Sequence, residues 1–229
     1  MVATNLVKSI FRGVTVVALD FDDTLCMTQK ACFRLENMAA QAIGAPPMSE
    51  ATHLATWGKP MTQVLQARFP DVDEQAFMRS YQSCLIQAKR EGWYDQITPK
   101  TYEALEKLSQ MGLKLSIVTS RTLAELEHLM VADHPLTKLI KRFYYLDNCT
   151  FHKPDGRVFD GLLKDFGVSS EYVVYVGDSV SDAKACESAG IAFVASLESG
   201  LRSREDFEGL PVHNFIHEFS ELPKLFGEK

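Results

Sequence analysis

The chain has 229 residues, 46% of them hydrophobic and 24% charged, a size that accommodates one hydrophobic core and an inserted module. Its 24 Lys and Arg against 30 Asp and Glu leave a formal net charge of −6 and form no visible basic face, which disfavours a nucleic acid or an anionic membrane as partner. The five cysteines include no CxxC pair, which argues against a disulfide framework or a structural zinc site and makes a reducing cytoplasm the expected compartment.

The opening MVATNLVKSIFRG carries no apolar run ahead of a small-residue cleavage site, and no later stretch approaches the roughly 18–20 apolar residues of a membrane span. The first predicted strand, Val14–Leu19, is rich in β-branched residues and runs directly into Asp20, Asp22 and Asp23. Carboxylates that crowded repel one another, so a fold that keeps them supplies a cation or uses the strained protonation equilibrium. From about residue 28 to residue 96 the pattern is helical, with segments Ala31–Ile43, Pro60–Arg68 and Glu74–Arg90 punctuated by GAPP and RFPD. That interval is too long for one crossover. It reads as an inserted helical cap, residues 28–96, with residues 1–27 and 97–229 forming the core.

The segment TPKTYEALEKLSQMG has the marks of a helix: Thr98 as cap, Pro99 in the first turn, Tyr102, Leu105 and Leu108 on one face, and Gly112 as the stop. A second strand, Leu113–Val118, leads to Thr119 and Ser120, and Leu123, Leu126 and Met130 then recur at helical spacing. A third strand is expected at Phe143–Leu146, followed by Lys153 in HKPDG and a helix carrying Val158, Leu162 and Phe166 that Gly167 closes. The fourth strand, Val173–Val176, ends in Gly177, Asp178 and Asp182, and the helix Ser181–Ala189 is closed by Gly190. Ile191–Val194 is the fifth strand and Phe215–Ile216 a weak sixth. This alternation predicts an α/β fold, a Rossmann-like parallel sheet flanked by helices, with the helical cap inserted after the first strand.

In such sheets ligands bind beyond the carboxyl ends of the strands, where Asp20, Asp22, Thr119, Ser120, Lys153, Asp178 and Asp182 are expected to converge. Taken singly, each has a plainer role: aspartates solvate turns, a Thr-Ser pair caps a helix, and a Lys before Pro is exposed. Their order is what carries information. A DxDxT after an apolar strand, a Thr after a second strand, a KP ahead of a helix and a GDxxxD after another strand form a conjunction that chance rarely supplies.

These motifs resemble those of the haloacid-dehalogenase-like hydrolase superfamily, with LDFDDT as the first, IVTS as the second, KP as the third and GDSVSD as the fourth. The position of the insertion is similar to that of the helical-cap subfamily, which includes phosphoglycolate phosphatase-like enzymes. The resemblance implies a cytoplasmic, Mg²⁺-dependent phosphatase acting on a small phosphorylated metabolite. Phosphoryl transfer needs an in-line nucleophile, neutralised equatorial oxygens and a proton for the leaving oxygen. Asp20 is placed to attack and form an aspartyl-phosphate, and Asp22 to serve as general acid and then as base toward water. Thr119, Ser120 and Lys153 would hold the phosphoryl oxygens. Asp20, the backbone carbonyl of Asp22 and Asp178 would hold Mg²⁺. Asp182 would steady the metal's waters or Lys153, or simply compensate the dipole of its helix.

Asp22 separates this chain from the family's dehalogenases, which lack an acid there because halide needs no proton. The family's hexose-phosphate mutases keep it and carry GxxR in the cap, where this chain reads Gly58-Lys59-Pro60-Met61. A sugar phosphomutase and a non-catalytic phosphometabolite-binding protein are the alternatives. Asp23, where the family often has Gly, is expected to be a solvated loop residue. In the cap, TWGKPM offers Lys59 as the substrate-binding candidate, with Arg34, Arg68 and Arg79 as further cations. Neither the substrate nor an oligomeric state is legible in these patterns.

Overall fold

The computed structural model describes residues 10–57 and 61–227, the side chain of Thr62 excepted. The chain divides into two compact units, residues 1–25 with 97–229, and residues 26–96.

The first unit is built on one parallel sheet: β1 (Val16–Leu19), β2 (Lys114–Val118), β3 (Ile140–Tyr144), β4 (Val173–Gly177), β5 (Ala192–Ser196) and β6 (Asn214–Ile216). Their order across the sheet is β3-β2-β1-β4-β5-β6, so the winding direction reverses between β1 and β4. All four residues of β1 and all five of β4 are buried, as a continuous apolar run in a parallel sheet covered on both faces requires. Val16, Ala18, Val173 and Tyr175 lie on one face with Phe159, Leu162, Ala183 and Cys186. The helix Pro99–Gln110 starts where Thr98 accepts a hydrogen bond from the Thr101 amide. Gly167 and Gly190 end their helices in left-handed conformation, at φ 64° and 66°.

Beyond shifts of one or two residues at strand ends, two elements of this unit differ from the sequence reading. β3 begins at Ile140, three residues before the expected start, because Lys141 and Arg142 lie exposed on the edge strand while Ile140 pairs with Leu115. Charge on an edge hides a strand from an apolar-run reading. The helical spacing of Leu123, Leu126 and Met130 yields only a short helix, Leu123–Leu126, and a 3-10 turn, before His134 caps a new helix at Pro135–Leu139.

The second unit is helical: α1 (Thr28–Ala42), α2 (Glu50–Thr56), α3 (Met61–Arg68) and α4 (Glu74–Arg90). The sequence reading did not single out α2, which Ser49 caps through the Thr52 amide. Ala39, Ala40, Leu65, Phe69 and Phe77 form one apolar cluster, and Leu35, Ala88 and Tyr94 a second. Between helices lies a buried ionic group. Arg68 Nη1 donates to both Glu36 carboxylate oxygens at 2.7 Å, and Arg68 Nε donates to Thr56 Oγ1 at 2.8 Å. His53 Nε2 is 3.2 Å from the Gln29 carbonyl, and its Nδ1 faces Glu36 Oε2 at 3.4 Å. Arg68 is therefore an internal strut and not the available cation that its position in the sequence suggested. Arg34 covers the Trp93 ring at 4.0 Å. Among the described residues no helix is long and apolar enough to cross a membrane.

Removing one partner of a buried ion pair strands the others. Glu36→Ala is expected to lower stability by about 3–5 kcal/mol, because the buried Arg68 guanidinium then loses the carboxylate that pairs with it. Chemical denaturation measures this, and an unshifted midpoint would contradict the assignment.

Candidate active site

β1 delivers Asp20 to the carboxyl edge of the sheet, where its amide donates to the Val176 carbonyl of β4 at 2.8 Å as the last rung of the ladder. The side chain is anchored as well: Oδ1 accepts from the Phe21 amide at 2.8 Å and lies 3.0 Å from Lys153 Nζ. Lys153 is 6% exposed and makes two further contacts, to Asp182 Oδ1 at 2.7 Å and to the Tyr175 hydroxyl at 3.1 Å. Tyr175 in turn donates to the Val118 carbonyl at the end of β2, 2.7 Å away. To reach it from β4 the phenol crosses β1 at Ala18, its ladder partner, whose small side chain leaves the room.

Asp182, fully buried, accepts from Lys153 on Oδ1, which also lies 3.3 Å from the Tyr175 hydroxyl oxygen, and from the Ser179 amide and hydroxyl on Oδ2, at 3.0 and 2.7 Å. Gly177 makes that packing possible, since a Cβ there would stand 2.5 Å from Asp182 Oδ2. Asp20, Asp178 and Asp182 each present a carboxylate oxygen within 4.8 Å of the others. Three hard oxygen donors at that spacing suit an oxophilic divalent cation. Because both Asp182 oxygens already accept protein hydrogen bonds, Asp20 and Asp178 are the better direct ligands, and Asp182 fits the role of fixing Lys153.

The electrostatics follow from burial. Asp20 is raised from 3.8 to about 7, chiefly by desolvation, with Lys153 opposing the rise and Asp182 and Asp22 adding to it. Asp178 is pushed well above the usual carboxylate range by burial and by the charges of Asp182, Asp20 and Asp23. Burial alone would lower Lys153, but Asp182 and Asp20 more than reverse that and hold it as the ammonium.

The other expected residues fall in several places. Thr119 is buried at the end of β2, its amide bonded to the Tyr144 carbonyl and its hydroxyl accepting from the Arg121 amide at 3.3 Å. Ser120 is exposed. Lys59 lies outside the described residues. Asp23 is not the solvated loop residue its position suggested: it is 2% exposed, in a turn at φ 55°, a left-handed conformation that Asp tolerates. Asp22 has a partner the sequence reading missed. Arg121 Nη2 donates to Asp22 Oδ1 at 2.6 Å, and Arg121 Nε is 3.1 and 3.0 Å from the two oxygens. Tyr175 was missed too, although a Tyr inside a fully apolar strand signals a buried hydroxyl in need of a partner.

The family model for haloacid dehalogenase-like hydrolases matches residues 17–196, a span that contains every residue of this site. The chain belongs to that family. This hydrolase is 25% identical over 189 residues to a phosphoglycolate phosphatase of Aliivibrio fischeri, covering 79% of this chain and 82% of the relative. It is 24% identical over 214 residues to that of Rhodobacter capsulatus, covering 90% and 94%. Its fold matches CbbY from Rhodobacter sphaeroides, solved in complex with phosphate, with a TM-score of 0.72 at 20% identity over 91% of this chain and 96% of that one. The relatives from Aliivibrio fischeri and Rhodobacter capsulatus are both named phosphoglycolate phosphatase, and the chain resembles them along most of its length.

The raised Asp20 fixes the sign of a pH effect. A folded carboxyl that binds its proton more tightly than the unfolded one withdraws stability as pH climbs from about 4 toward about 7 in the cation-free protein. A divalent cation binds the ionised form and competes with that proton. Added Mg²⁺ or Mn²⁺ is therefore expected to raise the melting temperature more at about pH 8 than at about pH 6. A shift independent of pH would remove Asp20 from the ligand set.

Proposed function

We propose that the chain is a Mg²⁺-dependent cytoplasmic phosphatase that hydrolyses a small phosphate monoester through an aspartyl-phosphate on Asp20. The observation that carries this reading is the Asp20 carboxylate at the switch point of the sheet, 3.0 Å from a buried ammonium and within 4.8 Å of Asp178. A carboxylate is a useful nucleophile toward an anionic phosphoryl group only where positive charge is fixed beside both. Lys153 provides one such charge from the protein itself.

Asp20, Asp178 and the backbone carbonyl of Asp22 would hold the ion. When bound, Mg²⁺ supplies charge neutralisation for the nucleophile and the phosphoryl oxygens. The chain's own groups do the rest. Asp20 forms the bond to phosphorus as the ester P–O bond breaks, and Asp22 gives its proton to the departing oxygen. Water then attacks the phosphorus, Asp22 takes a proton from it, and phosphate leaves with Asp20 restored. The Thr119 hydroxyl and Lys153 bind phosphoryl oxygens during both transfers, while Asp182 and Tyr175 keep Lys153 aimed. None of these groups addresses the alcohol part of the ester, so discrimination among esters is assigned to the helical unit, residues 26–96, acting as a cap, with Lys59 as its candidate contact. The relatives named phosphoglycolate phosphatase support a small anionic phosphate ester as the substrate class.

An aryl phosphate tests the chemistry with little demand on recognition. The purified protein is expected to hydrolyse it, to stop in EDTA and to recover with Mg²⁺; full activity after thorough demetallation would reject the metal assignment. Asp20→Asn is expected to abolish turnover of every substrate. Asp22→Asn should cost about 10²–10⁴-fold with alkyl esters, whose leaving groups need a proton, and much less with aryl ones at the transfer step. Equal losses across leaving groups would make Asp22 structural.

A further inference from the structure

Arg121 stands two residues beyond Thr119, and its surroundings are those of a built element. It is 5% exposed, its carbonyl accepts from the Leu146 amide at 2.8 Å, its amide donates to Thr119 Oγ1, and its guanidinium lies 4.4 Å over the Phe21 ring. The same guanidinium meets both Asp22 oxygens, at 2.6 to 3.1 Å, across 99 residues of sequence. Asp22 itself keeps 34% of its side chain exposed. A long, flexible cation is thus immobilised by backbone and ring contacts on the loop that bears Thr119, and it grips a partly solvent-reached carboxylate on the loop that bears Asp20.

We infer that Arg121 is a positioning residue that orients the Asp22 carboxylate toward water during hydrolysis of the phosphorylated Asp20. This rests on the phosphatase reading above. A planar fork matched to two carboxylate oxygens fixes the plane and direction of that group, which a point charge does not. The form it matches is the carboxylate, the form in which Asp22 must accept a proton as water adds to phosphorus and the Asp20–phosphorus bond breaks. Arg121 never exchanges a proton itself. Its guanidinium acts only through where it holds Asp22.

The test separates the two steps with an aryl phosphate, whose first transfer needs no acid. kcat/KM then reports phosphoryl transfer to Asp20, and kcat reports the water step once that step limits turnover. Arg121→Gln is expected to lower kcat by about ten- to a hundredfold while changing kcat/KM less than about twofold, so that KM falls in parallel and a burst of aryl alcohol precedes slow turnover. Arg121→Lys, which keeps the charge and loses the fork, should fall between the two and carries the same readout if the Gln variant does not fold. A proportional fall in kcat and kcat/KM, the mark of lost active protein, overturns the inference, as does no change in either. Failure of the wild-type protein to hydrolyse the aryl phosphate at all would overturn the phosphatase reading and this inference with it.

Discussion

Lys153 Nζ sits 3.0 Å from Asp20 and 2.7 Å from Asp182, and almost no water reaches any of the three groups. At such distances and burial a carboxylate and an ammonium interact strongly, but each has also lost its hydration. The arrangement holds because every partner has additional hydrogen bonds: the Phe21 amide to Asp20, the Ser179 amide and hydroxyl to Asp182, the Tyr175 hydroxyl to Lys153. Asp178 adds a third carboxylate to the two that one ammonium serves. The imbalance of charge is why burial and mutual repulsion push Asp20 and Asp178 upward, and a divalent cation is what would restore balance.

The sheet is what makes that cluster reproducible. β1, β4 and β2 end at the same edge, and their ends are cross-linked by side chains that read along no single strand: Tyr175 spans from β4 over Ala18 to the Val118 carbonyl, and Asp182 folds back over Gly177. A larger residue at position 18 or 177 would occupy space that the phenol or the carboxylate needs. Small residues in these strands therefore serve the site as much as the core.

The parts of the structure legible in the sequence were those written in local patterns. Apolar β-branched runs placed β1, β2, β4 and β5, and Asp20 and Asp178 were marked by their positions directly after such runs. What escaped depends on partners remote in the chain. Arg121 and Asp22 are 99 residues apart, Lys153 and Tyr175 are 22, and Arg68 and Glu36 are 32, and no periodicity records such pairings. Arg68 read as a further candidate cation for the substrate because charge ordinarily means exposure, and a buried carboxylate claims it instead. Asp23 read as solvated for the same reason. β3 was shortened because its Lys141 and Arg142 broke the apolar run that an edge strand does not need to maintain.

Two carboxylates separated by one residue thus acquire different physical lives. Asp20 is turned inward, fixed on Oδ1 by an amide and a buried ammonium, and shielded from solvent on the side of the core. Asp22 is turned toward a guanidinium on the adjoining loop and keeps a third of its side chain in water. Nucleophilic attack favours the first environment, because desolvation and fixed geometry both increase reactivity toward phosphorus. Proton exchange favours the second, because the proton must come from and return to the solvent or the leaving group. Extended backbone would put the two side chains on one face, with their charges side by side; in the turn after β1, where Asp23 takes a left-handed conformation, Asp20 is paired with Lys153 and Asp22 with Arg121, so that each carboxylate has its own cation.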